Sequence, residues 1–303
     1  MKFNDLIAGT FEEKIVHSIH LKNKYPPTFI VGVPRSGTTV VYLHMVNTYH
    51  FSYFPNAAKY NPRSCILRTF FSKITASYQP TYESSYGILE GGLSPSDGWD
   101  IFNRWFPCYD HGMPVKEKKL YELINIIRLM EIIFGAPFLN KNNHNSTRIL
   151  HLNRLFPDAF FIHVKRDIYE TALSLVESRE ANNIRLNQWW GVSPPLFYDK
   201  YFTGEIEQVV YQIKGVEDHI QESLGYIDPN RRRVISYKDF CDSRDDIINW
   251  TGERYRDLNV NIRKRKYPGD PGQGIIPGKR EIPGDFKDKV DEALSRYDED
   301  VSG

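Results

Sequence analysis

A glycine-containing loop between an apolar run and a helical pattern constrains the fold more than any other segment. The apolar run Thr28–Val33 leads into Gly32-Val-Pro-Arg-Ser-Gly-Thr-Thr39, and a helical pattern follows over Thr38–Tyr49. In a strand–loop–helix unit of this kind, loop N–H groups and the positive end of the helix dipole converge on a phosphate. The segment therefore predicts an anion site at the end of a buried strand, with an incidental glycine-rich turn as the alternative.

The loop differs from that of nucleoside triphosphatases at one position. It keeps both glycines and the last Thr of G-x-x-x-x-G-K-[ST], but Thr38 stands where the Lys would be. The cation that serves the β- and γ-phosphates is therefore missing, while Arg35 offers a cation inside the loop. The pattern favours a single 5′ phosphate that carries a transferable group, with Ser36, Gly37, Thr38 and Thr39 as its contacts.

Short apolar runs alternate with helical patterns along the rest of the chain. Further strands are predicted at Phe160–Val164 and Val234–Ile235. Helices are predicted at Lys118–Phe134, Ser146–Phe156, Ile168–Arg179, Gly204–Leu224 and Phe286–Tyr297. This alternation indicates an α/β, P-loop nucleotide-binding-like three-layer fold with a central parallel sheet flanked by helices. We expect a single domain over residues 1–303, with an insertion at about 57–111 that lacks a sustained period and shapes a substrate cleft.

Composition limits the kinds of site that are plausible. With 41% hydrophobic and 25% charged residues and a net charge of +1, the chain has the composition of a globular protein without a global field for nucleic acid. Cys65, Cys108 and Cys241 show no zinc spacing, so we expect no metal. No window reaches the roughly 18 apolar residues of a membrane span, and no signal-peptide pattern opens the chain. A cytoplasmic location is the default expectation.

A second candidate anion site follows the strand at Phe160–Val164. Arg166 stands at the strand's end, and Ser174 lies eight residues later on the predicted helix. An Arg at a strand end and a Ser on the following helix can share one phosphate through charge-assisted hydrogen bonds. The alternative is a surface ion pair of Arg166 with Asp167 or Glu170, with Ser174 as a small helix residue.

Together these segments resemble the sulfotransferases that use 3′-phosphoadenosine 5′-phosphosulfate (PAPS). Pro34-Arg-Ser-Gly-Thr-Thr39 is similar to their 5′-phosphosulfate loop, and Arg166 with Ser174 to their 3′-phosphate motif. The similarity extends through Phe138–Asn142, Arg154–His163 and Ser236–Phe240, so it covers roughly residues 28 to 240. The Arg-containing loop resembles the branch of protein-tyrosine sulfotransferases and many bacterial enzymes. The resemblance implies in-line transfer of a sulfonate from PAPS to a hydroxyl of a glycan, lipid or small molecule.

The resemblance also implies roles for individual residues. Arg35 would stabilise charge on the sulfonate and the leaving phosphate oxygen, and Lys141 would contact the sulfonate. Asp97 is our choice of general base, with Glu90, Asp100 and His111 as competitors. Arg35 has a simpler alternative as a surface charge at a helix start, and Lys141 as a solvated loop residue.

Further implied contacts lie late in the chain. Tyr237 would approach the adenosine, with a core tyrosine as the alternative. A basic stretch, Arg263–Lys266 or Lys279-Arg280, would hold the 3′ phosphate.

The acceptor side of the predicted site is less defined. Phe54-Pro-Asn-Ala-Ala58 lacks the acidic residue of the tyrosine-sulfating branch, which argues against a protein-tyrosine acceptor. The aromatic residues Trp99, Trp105, Trp189 and Trp190 are candidates for the acceptor cleft. A P-loop kinase and a catalytically inactive nucleotide-binding module are the alternative functions, and Thr38 together with the missing acidic magnesium ligand argues against the kinase.

Overall fold

A parallel β-sheet of four strands forms the centre of the protein. The structure, a computed structural model, describes residues 3–82, 89–106, 117–265 and 281–303. In these residues the strands are β1 (Thr28–Val31), β2 (Leu139–Lys141), β3 (Phe160–Lys165) and β4 (Arg232–Ser236), in the spatial order β2-β1-β3-β4. Thr28 pairs with Leu139 on one side and with Phe160 on the other. The parallel α/β fold expected from the sequence is confirmed.

Helices cover both faces of the sheet because successive residues of the central strands point to opposite cores. Phe29 and Val31 pack into one core, and Ile30 packs into the other. The helices are α1 (Phe3–Ser18), α2 (Thr38–Thr48), α3 (Asn56–Lys59), α4 (Cys65–Thr75), α5 (Trp99–Phe102), α6 (Glu117–Phe134), α7 (Ile149–Leu155), α8 (Ile168–Ala181), α9 (Glu205–Gly225), α10 (Tyr237–Asp242), α11 (Asp245–Asp257) and α12 (Gly284–Ser302). Helices α6, α7, α8, α9 and α12 supply the first core, and α2, α10 and α11 supply the second. No described helix is both long and apolar enough to cross a bilayer.

Some predicted boundaries are corrected by the structure. The strand predicted over Thr28–Val33 ends at Val31, where the glycine loop begins to turn, and the strand around Val234 runs over Arg232–Ser236. The helix predicted from Ser146 begins at Ile149, because Asn143–Thr147 form a 3₁₀ turn started by the Asn142 side chain. Strand β2 was not predicted, since it has only three residues and two of them are polar.

The region predicted as an insertion contains regular structure. Helices α3, α4 and α5 lie within it, and α4 runs for 11 residues. Its helical spacing is therefore present in the sequence, contrary to the expectation of no sustained period. Cys108 and His111 lie outside the described residues.

Candidate active site

A cleft of about 620 Å³ lies at the carboxyl ends of the strands. Its walls bring together predicted site residues from five separate parts of the sequence. They are Arg35, Gly37, Thr38, Thr39, Asp97, Lys141, Arg166 and Tyr237. Open α/β sheets bind ligands in this position, where loops from neighbouring strands diverge.

The glycine loop is held in a conformation that its sequence explains. Gly37 has φ 95°, and a Cβ at this position would overlap the ring of Tyr237. The hydroxyl of Ser146 accepts a hydrogen bond from the Gly32 amide and donates one to the Gly32 carbonyl, both at 3.0 Å. The turn after β2 thus fixes the start of the glycine loop. The first residues of α2 form part of the cleft wall. Amides in the first turn of a helix have no partner within the helix and are suited to bind anions.

Arg35 links the two predicted anion sites directly. Its Nε donates a 3.0 Å hydrogen bond to Oγ of Ser174, which is only 2% exposed. Arg166 donates from Nη1 to the carbonyl of Arg35 at 3.3 Å and from Nε to Glu170 at 2.9 Å. Arg166 therefore lies in the cleft wall, whereas Ser174 lies beneath Arg35 and does not line the cleft. The ion pair of Arg166 with Glu170 was predicted as an alternative to a place at the site. The structure shows both, because Arg166 pairs with Glu170 and also lines the cleft.

Tyr237 packs over the loop and against Arg166. The guanidinium carbon of Arg166 lies 5.1 Å from the centre of the Tyr237 ring, within cation–π range. Burial, with the nearby Cys241, raises the pKa of Tyr237 to about 12, so the phenol stays protonated at neutral pH. The ring, rather than a charged oxygen, is what Tyr237 presents to the loop.

Three charged side chains meet at the end of β2. Lys141 is the last residue of that strand and is 9% exposed. Burial lowers the pKa of Lys141, the carboxylate of Asp97 opposes this shift, and Arg35 adds to it. Lys141, Asp97 and Arg35 therefore lie within electrostatic reach of one another.

Asp97 is positioned by contacts of its own segment and of β2. Its carbonyl accepts a 2.9 Å hydrogen bond from Nδ2 of Asn140, and its carboxylate accepts one from the Trp99 amide at 3.1 Å. Among its predicted competitors, Glu90 is exposed and, like Asp100, does not line the cleft. His111 lies outside the described residues, so among the four bases considered from the sequence Asp97 is the one seen to face the cleft.

Two buried polar atoms beside the loop have no hydrogen-bond partner within the described part of the chain. They are Oγ of Ser36 and Nδ2 of Asn142. Asn142 lines the cleft and is 1% exposed, while its Oδ1 accepts from the amide of His144 at 3.0 Å. Buried polar groups are almost always satisfied, so the Nδ2 atom of Asn142 is consistent with a polar ligand in the cleft. Ser36, a predicted contact, is fully buried and does not line the cleft.

Sequence reasoning missed several residues of the cleft. Asn142, Asn143, His144, Glu177, Ser178 and Gly191 also line it. Proximity in sequence to Lys141 and Ser174 was the available signal for the first five. Thr38, the residue at the triphosphatase Lys position, donates to the side chain of Asn143 at 3.3 Å.

Some sequence candidates lie elsewhere. Trp99 and Trp190 line the cleft, but Trp105 donates to Glu122 and Trp189 to the carbonyl of Tyr198, and neither reaches the cleft. The late basic stretch is also displaced from its predicted place.

The amide of Arg265 donates to the carbonyl of Thr48, and the carbonyl of Arg263 accepts from the His50 amide. These contacts are at the end of α2 opposite to the glycine loop, so the expected role of Arg263–Arg265 at the 3′ phosphate is wrong. Lys266, Lys279 and Arg280 lie outside the described residues.

The turn after α8 forms part of the cleft wall and depends on buried polar side chains. Arg179, fully buried, donates to the carbonyls of Gln188 and Arg185 and pairs with Glu205 at 2.9 Å. Gln212 of α9 donates from Nε2 to the carbonyls of Trp190 at 2.9 Å and Val192 at 2.6 Å. These bonds fix a segment that has no regular structure.

Comparisons with known proteins point to one family. Residues 26–249 match the model of the family described as "Sulfotransferase family". The structure resembles sulfotransferase STF1 from Mycobacterium tuberculosis H37Rv, with a TM-score of 0.61 and 10% identity, over 96% of this chain and 81% of that one. It also resembles sulfotransferase STF9 from Mycobacterium avium, with a TM-score of 0.54 and 13% identity, over 95% and 72% of the two chains. No curated protein sequence matches significantly.

Proposed function

The chain belongs to the sulfotransferase family, and we propose that it transfers a sulfonate group from PAPS to a hydroxyl of a glycan, lipid or small-molecule acceptor. One observation carries the proposal. Arg35, Lys141, Asp97 and Arg166 come from distant parts of the sequence, yet they line one cleft at the carboxyl edge of the sheet. A cytoplasmic location stays a prediction.

The chemistry of the cleft supports a donor with two phosphate groups. The glycine loop and the start of α2 offer amides and a helix N-terminus for the 5′ phosphosulfate. Arg166, beside Tyr237, offers a guanidinium for the 3′ phosphate, and the aromatic ring of Tyr237, which lines the cleft, suits a purine. The unpartnered Nδ2 of Asn142, which lines the cleft, adds hydrogen-bonding capacity on the loop side. No role here requires a metal ion.

Arg35 and Lys141 would supply most of the charge stabilisation. Sulfonate transfer builds negative charge on the departing phosphate oxygen and on the sulfonate oxygens, so fixed cations in a partly dehydrated cleft lower its barrier. The hydrogen bond to Ser174 fixes the Arg35 guanidinium before a substrate binds. Lys141 is held at the end of a strand, so its ammonium group needs little reorganisation during the reaction.

Asp97 is the proposed general base. An acceptor hydroxyl loses its proton as the new S–O bond forms, and a carboxylate within hydrogen-bond reach can take it. His144 also lines the cleft, with its ring centre 6.2 Å from that of Trp99, and is the second candidate. Comparing Asp97→Asn with His144→Gln in a transfer assay separates the two, since loss of the true base should lower kcat far more than loss of the other side chain.

Nucleotide binding tests the function itself. We expect 3′-phosphoadenosine 5′-phosphate (PAP), the product of the donor, to raise the melting temperature by several degrees, and ATP with magnesium to raise it much less. A ligand at a concentration of one hundred times its dissociation constant raises the free energy of unfolding by about 2.7 kcal/mol, which a thermal scan detects. The opposite ranking of the two nucleotides would overturn the proposal.

The two alternatives make different predictions in the same assay. A P-loop kinase would prefer ATP with magnesium. At the triphosphatase Lys position this chain has Thr38, which donates a hydrogen bond to Asn143, so no cation stands there. An inactive nucleotide-binding module would bind PAP but release no labelled sulfonate from PAPS to any acceptor in a screen.

A further inference from the structure

Helix α4 presents its apolar side to solvent. Phe70, Phe71 and Ile74 are 48%, 61% and 65% exposed, and their spacing of three and four places them on one side of the helix. The opposite side is buried and consists of Cys65, Thr69 and Ser72. A surface helix of a globular protein normally turns its apolar stripe toward the core. We call Phe70, Phe71 and Ile74 the α4 apolar face.

Polar contacts hold α4 in this orientation. The buried carboxylate of Glu12 accepts hydrogen bonds from the amides of Ile66 at 3.0 Å and Leu67 at 2.9 Å, at the start of the helix. The small residues of the buried side let α4 approach its neighbours closely. These contacts fix which side of α4 faces the core, so the apolar side faces outward in the packed structure. An exposed apolar cluster of this kind marks an interaction surface.

The segment of sequence that contains α4 carries charges of one sign, although Glu12 and Glu13 of α1 contact the start of the helix. Between Glu13 and Glu83 the sequence contains no Asp or Glu, but it contains eight Lys or Arg residues. Four of them lie on α4 or just before it: Lys59, Arg63, Arg68 and Lys73. Arg265 adds a cation within electrostatic reach of Lys73, and Glu13 pairs with Arg63. The whole chain carries only +1, so this concentration of positive charge is local.

Apolar side chains bordered by cations fit the surface of an anionic bilayer. Phenylalanine and isoleucine enter the boundary between headgroups and acyl chains, while Lys and Arg remain at the phosphate level. A second copy of this chain fits less well. A twofold interface uses the same patch on both copies, so the cationic residues around the apolar face would be brought close to those of the other copy. From this geometry we propose that the α4 apolar face, with Arg68 and Lys73 at its sides, docks the protein on membranes that contain anionic lipid.

Vesicle co-sedimentation with the full chain tests this proposal. We expect binding to phosphatidylcholine vesicles that contain phosphatidylglycerol, little binding to phosphatidylcholine alone, and weaker binding as NaCl rises from about 0.1 to about 0.5 M. The triple variant Phe70→Ser/Phe71→Ser/Ile74→Ser should bind at least about tenfold more weakly, because three apolar side chains no longer leave water. Lys73→Gln should weaken binding less.

A matched control separates docking from general surface hydrophobicity. Tyr201 is 79% exposed and aromatic but lies outside α4, so Tyr201→Ser should bind vesicles like the unmodified protein. All variants should keep the stabilisation by PAP, which shows that they fold. The proposal is overturned by equal binding to neutral vesicles or by unchanged binding of the triple variant. A concentration-dependent dimer that the triple variant abolishes, without vesicle binding, would instead assign the face to a second copy.

Discussion

The two sides of the cleft are built in different ways. The loop wall, which comprises residues 32–39, Arg166 and Tyr237, follows directly from the ends of β1, β3 and β4. The irregular wall, which comprises residues 89–99 and 182–192, depends on side chains that reach in from elsewhere. Asn140 holds Asp97, 43 residues away, and Gln212 holds Trp190, 22 residues away. The loop wall, the proposed donor side, thus takes its place from the strand ends and is then fixed by distant side chains. The irregular wall, the proposed acceptor side, is held by such tertiary contacts without a strand end to position it.

The largest effect is expected from Arg35 in the loop wall. Arg35→Ala should lower the rate of sulfonate transfer by about a hundredfold or more, since it removes a fixed cation from the developing charge. The affinity for PAP should change little. Transfer from labelled donor and calorimetric titration of PAP measure the two quantities. Arg233→Ala, at an exposed Arg of β4, is the control and should leave both unchanged.

Ser174→Ala refines this prediction. If Ser174 acts by holding Arg35, as the 3.0 Å hydrogen bond suggests, transfer should slow while PAP binds normally. A loss of PAP affinity without slower transfer would instead make Ser174 a direct phosphate ligand.

Removing the Arg166 side chain should have the opposite effect to removing that of Arg35: it should weaken PAP binding more than it slows transfer. Arg166→Ala should weaken PAP binding roughly ten- to hundredfold, because a charge-assisted contact to phosphate contributes about 1.5–3 kcal/mol. Arg166→Lys should recover part of that affinity, since it keeps the charge but not the planar guanidinium. Titration calorimetry measures the difference. Equal losses of PAP affinity in the Arg35 and Arg166 variants would show that the loop wall is not divided in this way.

The irregular wall should respond to Gln212. Gln212→Met removes two buried hydrogen bonds to the carbonyls of Trp190 and Val192 and should lower the free energy of unfolding by about 1–3 kcal/mol. The KM for the acceptor should rise several-fold while PAP affinity stays constant. Urea unfolding and steady-state kinetics measure these effects. Gln221→Met, at an exposed position of the same helix, should change neither. A weaker affinity for PAP would mean that the two walls are coupled.

The smallest effect concerns pH and the contact between the walls. Burial holds the pKa of Lys141 below its ordinary value of 10.5, and the Asp97 carboxylate raises it. PAP affinity should therefore fall as pH rises through that lowered pKa, because the ammonium group loses its charge. Asp97→Asn removes the carboxylate, so the fall should begin at a lower pH. Thermal shifts by PAP between pH 7 and 10 measure it, and an unchanged profile would place Asp97 too far from Lys141 to matter.

The same contrast explains what the sequence could predict. The glycine loop, Arg166 and the helices with an inward apolar stripe were predictable because their signals lie within one strand–turn–helix unit. Strand β2 was not, since three residues carry too little pattern. The spacing of Phe70, Phe71 and Ile74 did signal a helix in the predicted insertion, but a helical period does not show which side faces the core. The absence of Trp105 and Trp189 from the cleft depends on hydrogen bonds to distant residues, which no local pattern encodes.

Arg35 has φ 70°, a left-handed conformation that costs a residue with a side chain about 1–2 kcal/mol. Glycine adopts this conformation freely, so Arg35→Gly should relieve the backbone strain but lose the hydrogen bond to Ser174, and the variant should no longer turn over. Position 35 thus carries a residue that its backbone disfavours and that the proposed chemistry needs. Relief of backbone strain alone would favour glycine at this position, and retention of Arg35 in a lineage would record selection for turnover.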